Sequence, residues 1–298
     1  MAVRLATKTL AAIDHTMMED QGAAFRVWSG KVLPAMKDAY RGEEDGFRSH
    51  LGASMIGRAC AREIWYGFRW SKKPRHQART LRLFNRGHLE EARFIAALLS
   101  IGVQVVQQDA NGNQFRISDA GGHFGGSGDG VALGIPDVPA GTWCLLEFKT
   151  HGDKSFQKLK KEGVKIAKPE HYTQMQVYMR KMQLTVALYG AVNKNDDEYH
   201  FEIIVIDPLH ADQFLDRGRQ IVRLHKAPER INESPGWYEC KFCDYKPICH
   251  GGEPPERNCR TCHHVRCDDT NGSWVCGQTG EVRDKEAQLA GCDDYLVN

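Results

Sequence analysis

Three residues near the middle of the chain have the types and spacing to hydrolyse a phosphate ester. Asp129 lies in the glycine-rich run GSGDG, and Glu147 and Lys149 follow in LLEFKT. Two carboxylates can bind Mg²⁺, which prefers oxygen ligands and retains water. Such an ion lowers the pKa of bound water and polarises phosphate, while a lysine can orient that water or neutralise developing charge. An isolated E-x-K is more often an exposed ion pair, so the preceding Asp129 carries much of this interpretation.

The two later residues require a strand to bring them together. Residues two apart in a strand share one face, so Glu147 and Lys149 are predicted to point the same way while Phe148 turns into the core. The runs 122–133 and 143–150 are predicted to be neighbouring strands joined by the turn-rich loop GIPDVPAGT. Cys144, beside the catalytic strand, is interpreted as a core residue.

The flanking patterns predict alternating helices and strands around this pair. Residues 1–50 have helical periodicity and are predicted to form a layer packed on the core. The run 103–108 and the run 113–118 are predicted to form a hairpin through Asn111-Gly112. The other predictions are helices over 86–100, 169–182 and 210–225, and strands over 184–192 and 199–206.

The ten cysteines are unevenly distributed. Cys60 and Cys144 stand alone, and the other eight lie between Cys240 and Cys292. Because the N-terminus lacks the apolar segment of a secretion signal, clustered C-x2-C spacing favours metal binding over disulfides. Past residue 232 the regular periodicity ends, so this segment is expected to need metal to hold it.

The overall composition restricts the function less sharply. Hydrophobic residues make up 41% and charged residues 26% of the chain, as in an ordinary globular protein. The apolar runs are too short to span a bilayer, so no membrane partner is expected. A net charge of +2 neither demands nor excludes a nucleic-acid partner.

Asp129 followed by Glu147-Phe-Lys149 resembles the D…(D/E)-x-K signature of the PD-(D/E)XK nuclease superfamily. Gln174-Met-Gln-Val-Tyr178 resembles the Q-x3-Y motif of its RecB-like and lambda-exonuclease-like branches. Residues four apart share a helix face, so Gln174 and Tyr178 are expected to meet the DNA backbone or support Lys149, with simple packing on the sheet as the alternative.

The same branches place a His or Glu near the metal, four residues after a glycine in an upstream helix. Glu91 has that spacing from Gly87, and Glu90 and His88 are close competitors. The resemblance therefore implies Mg²⁺ or Mn²⁺ at Glu91, Asp129 and Glu147, assisted by the backbone carbonyl of Phe148.

Cys60 in CAREIWY and three later cysteines in CKFCDYKPIC resemble the iron–sulfur nucleases of the RecB-like group, AddB among them. There, one cysteine before the nuclease core joins three after it around a 4Fe–4S cluster. The resemblance implies such a cluster at Cys60, Cys240, Cys243 and Cys249. Zinc is the alternative at four thiolates, and Cys60 as a buried apolar-like residue is another.

The tail contains a second cysteine group, in which Cys259-x2-Cys262 has zinc-knuckle spacing. The segments WVC276 and GC292 resemble paired elements in the tails of some phage-type exonucleases. We therefore expect structural zinc at Cys259, Cys262, Cys276 and Cys292, with Cys267 as the spare or the alternate ligand.

These patterns predict an α/β fold, with a restriction-endonuclease-like mixed central sheet flanked by helices and a C-terminal cysteine-rich zinc module. The expected domains are a helical layer over 1–50, a nuclease core over 51–250 closed by a cysteine cluster, and a zinc-binding tail over 251–298.

The expected function is Mg²⁺- or Mn²⁺-dependent deoxyribonuclease activity, as an exonuclease acting from a DNA end in recombination, repair or phage genome processing. The alternatives are a DNA-end-binding adaptor on a degenerate nuclease scaffold and a metal-stabilised interaction protein without catalysis. The expected partners are single-stranded DNA or a duplex end and a recombination or single-strand-binding protein, in the cytoplasm of a bacterium or phage-infected host. Cleavage polarity, strand preference and oligomeric state are left open.

Overall fold

A computed structural model describes residues 3–36, 47–111 and 113–298 of the chain. Its contacts divide the chain into two compact units. The sheet unit is drawn from Met1–Glu43, His76–Ile117 and Ser127–Ala211, and the cysteine-rich unit from Glu44–Arg75, Ser118–Gly126 and Asp212–Asn298. The three domains expected from the sequence stay a prediction. Among the described residues, no helix has both the length and the apolar character needed to cross a bilayer.

Helices and strands alternate along most of the chain. The helices are α1 (Thr7–Glu19), α2 (Ala23–Val32), α3 (Ala61–Phe68), α4 (Ala78–Ser100), α5 (Asp153–Glu162), α6 (Val164–Ala167), α7 (Pro169–Met182), α8 (Pro208–Arg223), α9 (Tyr238–Lys241), α10 (Lys246–Gly251) and α11 (Lys285–Ala290). The strands are β1 (Leu51–Gly52), β2 (Gln104–Val106), β3 (Arg116–Asp119), β4 (Phe124–Ser127), β5 (Gly130–Leu133), β6 (Trp143–His151), β7 (Val186–Asn193), β8 (Tyr199–Val205), β9 (Val265–Cys267) and β10 (Trp274–Cys276).

The sheet unit is built on a five-stranded sheet in the order β2-β5-β6-β7-β8. Strands β6 and β7 run parallel, and the other neighbours are antiparallel. A parallel pair needs a long crossover, and α5, α6 and α7 supply it. The predicted mixed sheet flanked by helices is therefore confirmed.

Strand β6 separates an apolar face from a polar one. Cys144, Leu146 and Phe148 belong to the main apolar core. Phe148 stacks on Phe94 of α4 with ring centroids 4.7 Å apart, so the prediction that it turns inward is confirmed. Gly190 on β7 leaves room for this ring, because a Cβ there would lie 2.8 Å from it. The alternate residues of β6 are thereby directed to the opposite face.

Helices α1 and α2 form the predicted helical layer within residues 3–36. Buried residues of both helices, Ile13 and Val32, join the same core as Phe94. Leu10, Met17 and Phe25 pack against its edge. The part of the prediction that falls on residues 37–46 lies outside the described residues.

One strand pairing predicted from the sequence is wrong. Strand β2 pairs antiparallel with β5, whereas β3 belongs to a separate three-stranded sheet in the order β1-β4-β3. The turn between them forms a single bridge, Gln108 to Gln114; Gly112 of the predicted turn lies outside the described residues. Strand pairing depends on distant partners as well as on the turn. Here β2 pairs with the distant strand β5 instead of with β3.

The cysteine-rich unit has short elements and an interior of a different kind. Two arginines, Arg69 and Arg260, are only 1% and 2% exposed. The Arg260 guanidinium lies 3.7 Å from the ring centre of Trp70 and 4.5 Å from that of Trp274. Cation–π contacts of this kind strengthen when they are desolvated, so this interior is held by charge on aromatic rings as well as by apolar burial.

Candidate active site

Asp129 and Glu147 are brought together where β5 meets β6. Asp129 directly precedes β5, and its Oδ2 accepts a 2.8 Å hydrogen bond from the backbone N–H of Phe148. Gly130 allows this close approach, because its φ is +145° and a Cβ would lie 2.9 Å from the carbonyl oxygen of Val106. The glycines around Asp129 thus let the carboxylate reach the middle of the neighbouring strand.

Glu147 is completely buried and is held from two sides. Its Oε1 accepts a hydrogen bond from Lys149 Nζ, and its Oε2 accepts one from Gln174 Nε2 at 3.0 Å. Lys149 shares the face of β6 with Glu147, as predicted from their spacing, and its side chain is 29% exposed. The carboxylate is therefore fixed in orientation, while the lysine reaches towards solvent.

In the Glu147–Lys149 pair, burial and the charge of the partner shift each pKa in opposite directions. Burial raises the pKa of Glu147, the Lys149 charge opposes the rise and the Asp129 charge adds to it, so that the resulting pKa is about 7. For Lys149, burial lowers the pKa, but the charges of Glu147 and Asp129 outweigh burial and raise it. Lys149 therefore keeps its proton, so it can neutralise or donate to an anion but cannot act as a base.

Glu90 and Glu91 on α4 separate into different roles. Glu90 is 4% exposed and lies between two arginines, with Oε1 3.7 Å from Arg86 Nε and 3.0 Å from Arg93 Nη1. The charge of Glu91 acts on Lys149. His88 lies on the same helix and is half-buried. Of the three competitors, Glu91 is the one whose charge is among the main causes of the raised pKa of Lys149.

Gln174 and Tyr178 occupy one face of α7 and are both buried. Gln174 holds Glu147, whereas the Tyr178 hydroxyl donates a 2.9 Å hydrogen bond to the carbonyl of Ser127. That carbonyl lies two residues before Asp129. The two side chains thus anchor the segments that carry both carboxylates, and at 7% and 2% exposure they offer little surface to a ligand.

The donor set at this site fits a hard divalent cation. Asp129 and Glu147, with Glu91 as the expected third ligand, would supply carboxylate oxygens, the ligand type that Mg²⁺ and Mn²⁺ prefer. A cation would also resolve the electrostatic conflict at Glu147, since an opposite charge favours the ionised form of a buried carboxyl. The expected contribution of the Phe148 carbonyl stays a prediction.

A polar network beside the carboxylates was not found from the sequence. The hydroxyl of Tyr189 lies 2.9 Å from His151 Nε2 and 2.9 Å from His171 Nδ1. Tyr189 is the register partner of Glu147 on β7. The available signal was the position of His151 two residues beyond Lys149, which gives it the same strand face.

The first cysteine group surrounds a small cavity in the cysteine-rich unit. Cys60, Cys240, Cys243 and Cys249 all line one cavity of about 20 Å³. Cys60 also caps the N-terminus of α3, where its Sγ accepts a hydrogen bond from the backbone N–H of Glu63 at 3.4 Å. Burial raises the pKa of Cys243 to about 11. Thiols gathered in this way suit a metal or cluster, which would hold them as thiolates.

The second cysteine group lines a larger cavity of the same unit. Cys259, Cys262, Cys276 and Cys292 border a space of about 200 Å³. Cys276 has a lowered pKa, caused first by a backbone hydrogen bond from Thr279. Cys267 does not line this cavity; burial raises its pKa to about 12, against the opposing charges of Arg69 and Arg260.

The candidate ligands within the described residues are not arranged as a closed metal centre. Across the described ranges, no three His, Cys, Asp or Glu side chains already form a group able to hold a metal ion. Each of the two cysteine groups therefore lines one cavity without being closed around an ion.

No protein-family profile and no curated protein matches this chain. Among solved structures, the chain is similar to LHK-Exo, an alkaline exonuclease from Laribacter hongkongensis, in two crystal structures. The complex with dAMP has 17% identity, covers 58% of this chain and 86% of the other, and has a TM-score of 0.41. The second structure has 16% identity, the same coverage and a TM-score of 0.40.

A third solved structure, that of SSO0001, has 12% identity, covers 73% of this chain and 93% of the other, and has a TM-score of 0.39. All three likenesses are too distant to support an argument about this chain, so the functional conclusion rests on the site itself.

Proposed function

We propose that this protein is a metal-dependent nuclease that hydrolyses phosphodiester bonds of DNA. The observation that carries the proposal is the convergence of Asp129, Glu147 and Lys149 on adjacent strands, with Glu147 clamped by Gln174. A buried carboxylate with a raised pKa beside a second carboxylate is costly for stability. Such groups concentrate at functional sites, where the cost serves the chemistry.

Each residue has a definite task in this proposal. Asp129 and Glu147, with Glu91, hold Mg²⁺ or Mn²⁺, which when bound supplies a water of lowered pKa and neutralises charge on the phosphate. Lys149 keeps its proton and donates to the oxyanion that develops during attack. Gln174 fixes the carboxylate of Glu147, so that its orientation is set before substrate arrives.

Cleavage of labelled DNA tests the assignment directly. Purified protein is incubated with linear and closed circular DNA, single- and double-stranded, with Mg²⁺, Mn²⁺ or EDTA. We expect metal-dependent cleavage that requires a DNA end. Asp129→Asn keeps an acceptor for the Phe148 N–H but loses the charge, and we expect activity to fall on the order of 10³-fold. Full activity of Asp129→Asn, or of wild type in EDTA, would contradict the proposal.

The adjacent glutamates provide a matched pair of variants. Glu91→Gln should lower cleavage on the order of 10²-fold with little effect on unfolding, because its charge acts at the site. Glu90→Gln should lower stability instead, because its partners are Arg86 and Arg93. DNA-end binding by wild type without any cleavage would favour the adaptor function instead, and neither binding nor cleavage would favour an interaction protein.

We further propose that Cys60, Cys240, Cys243 and Cys249 hold a 4Fe–4S cluster, and that Cys259, Cys262, Cys276 and Cys292 hold zinc. The support is that each set lines one cavity. Elemental analysis of anaerobically purified protein should give about four iron atoms and one zinc per chain, with a visible absorbance band. Cys243→Ser should remove the iron and Cys276→Ser the zinc, whereas Cys267→Ser should change neither. If the analysis finds zinc instead of iron at the first set, the 4Fe–4S proposal is contradicted and the alternative, a zinc site, is supported.

A further inference from the structure

Five polar side chains form a continuous hydrogen-bonded chain within the sheet unit. Lys168 Nζ donates to Ser155 Oγ at 2.6 Å, and Ser155 Oγ lies 3.2 Å from His151 Nδ1. His151 Nε2 lies 2.9 Å from the Tyr189 hydroxyl, which lies 2.9 Å from His171 Nδ1. The four contacts join α5, α7, β6 and β7, so the chain links the crossover helices to the central strands.

Where the buried Tyr189 hydroxyl both donates and accepts, two directions of proton donation are compatible with these distances. In the first, Ser155 donates to His151, His151 to Tyr189, and Tyr189 to His171. In the second, every one of these three bonds is reversed, and the hydroxyl proton of Ser155 has no hydrogen-bond acceptor among the described residues. A half-buried hydroxyl without an acceptor costs free energy, which favours the first direction.

The charges at the two ends favour the same direction. Lys168 has no ion pair within the described part of the chain and stands next to Ser155. A lone pair of His151 Nδ1 facing this cation is more favourable than an N–H facing it. The charge of Lys149 acts on both His151 and His171, but it is paired with Glu147. The unpaired cation, Lys168, therefore favours the first direction of proton donation.

The two imidazole rings of the hydrogen-bonded chain, those of His151 and His171, are both neutral. Burial, followed by the neighbouring lysine charges, lowers the pKa of His151 to about 4. Burial, followed by the charge of Lys149, lowers the pKa of His171 to about 2. A neutral imidazole carries one proton, so a histidine that accepts at Nδ1 must carry its proton at Nε2.

His171 is the last member of the hydrogen-bonded chain and lies beside the candidate catalytic residues. It precedes Gln174 by one turn of α7, and its neighbour Tyr189 is the register partner of Glu147. Its Nε2 has no hydrogen-bond partner in the described part of the structure, whereas its Nδ1 is occupied by Tyr189. The free ring nitrogen is thus the one available to a ligand.

We propose that this hydrogen-bonded chain of side chains fixes His171 as a neutral Nε2–H donor to a phosphate oxygen of the DNA substrate. Its other members, Lys168, Ser155, His151 and Tyr189, are positioning residues. The phosphate contact rests on the proposed nuclease function, whereas the direction of the chain does not. A neutral donor adds a directed hydrogen bond beside the charge of Lys149 without further charge repulsion against a metal ion.

The direction is tested by ¹⁵N NMR of the histidine side chains in the full-length protein at neutral pH without DNA. His151→Gln and His171→Gln assign the two rings. We expect the Nε2–H tautomer for both, and Tyr189→Phe should leave His171 in a mixture of tautomers. The Nδ1–H tautomer in both rings would mean that the chain runs in reverse, and would overturn the proposal whether or not the protein cleaves DNA.

The phosphate contact is tested by kinetics. His171→Leu removes the donor, and we expect kcat/KM for DNA cleavage to fall at least tenfold, whereas His171→Gln should retain part of it because its amide N–H lies near the Nε2 position. Tyr189→Phe should lower kcat/KM less than His171→Leu. His210→Gln is the matched control, because His210 bonds Thr173 of the same helix at 2.9 Å but stands outside the chain.

The outcomes separate the two proposals. An inactive wild type with Nε2–H histidines would contradict the nuclease function and, with it, the phosphate contact. An active wild type together with an unaffected His171→Leu would overturn the contact alone.

Discussion

The two units bury their polar groups in opposite ways. In the sheet unit an apolar core packs on one face of β6, and the other face carries the fully buried Glu147 paired with the partly exposed Lys149. In the cysteine-rich unit the buried cations Arg69 and Arg260 lie inside the core, against tryptophan rings. The comparison indicates that the first unit keeps a buried carboxylate–lysine pair apart from its apolar core, while the second places buried cations within its core.

Metal removal is expected to have the largest effect, and only in the cysteine-rich unit. Structural zinc contributes on the order of 10 kcal/mol in small sites, which is comparable to the whole stability of a domain. Stripping the metals with a chelator under denaturant-free conditions should therefore expose amides of residues 212–298 to hydrogen exchange. Amides of β6 and β7 should stay protected; equal loss of protection in both units would break the comparison.

Truncation of a core aromatic should come next, in the sheet unit. Phe94 is fully buried and packs on Phe148, Tyr199 and Phe201. Phe94→Ala should lower the free energy of unfolding by about 3–5 kcal/mol, measured by denaturant titration. Metal content, measured on the same sample, should not change.

Arginine substitutions probe the interior of the other unit. Arg260 donates to Gln288 Oε1 at 2.7 Å and to the carbonyl of Phe68 at 3.1 Å. Arg260→Ala removes both bonds and the ring contacts, and we expect a loss of about 3 kcal/mol. Arg260→Met keeps most of the volume and should cost less. If the two variants unfold alike, packing around the guanidinium contributes nothing.

Acid should weaken the sheet unit through His151, which is 6% exposed. Its pKa in the folded protein is about 4, below the ordinary value of 6.5, and burial is the main cause. Between these values the unfolded chain binds more protons, so the free energy of unfolding falls as pH falls. From pH 7 to pH 5 the loss should be about 2 kcal/mol, and urea titrations of His151→Gln should show a smaller loss.

The smallest expected effect is at an exposed ion pair of the sheet unit. Lys160 and Glu198 contact each other, but their side chains are 39% and 42% exposed. Lys160→Met should change the free energy of unfolding by about 0.5 kcal/mol or less. A larger change would mean that exposed ion pairs stabilise the sheet unit, as buried charges are expected to stabilise the cysteine-rich unit.

Local pattern was sufficient for the strand that carries the candidate site. Alternation along β6 predicted that Phe148 faces inward and that Glu147 and Lys149 share a face, and the predicted helix over 169–182 coincides with α7. These features depend on near neighbours in sequence, which periodicity records. The predicted helix over 86–100 is real but begins earlier, at Ala78.

Features that depend on distant partners were not predictable in the same way. The partner of β2 is β5 rather than β3, because pairing is chosen between whole strands. Glu90 and Glu91 are adjacent in sequence, so spacing could not tell which one the flanking arginines would hold. The chain from Lys168 to His171 joins separate segments, and only their packing brings its members within hydrogen-bond distance.

The tryptophans surrounding the buried arginines also make unfolding of one unit visible. Of the six tryptophans in the chain, Trp65, Trp70 and Trp274 are at most 4% exposed, and all three belong to the cysteine-rich unit. The sheet unit contains Trp28 and Trp143, both already in partial contact with solvent. Intrinsic fluorescence should therefore shift to longer wavelength chiefly when the cysteine-rich unit opens, while far-ultraviolet circular dichroism also follows the sheet. Recording both signals in one denaturation gives a label-free measurement of whether the units unfold together or in sequence.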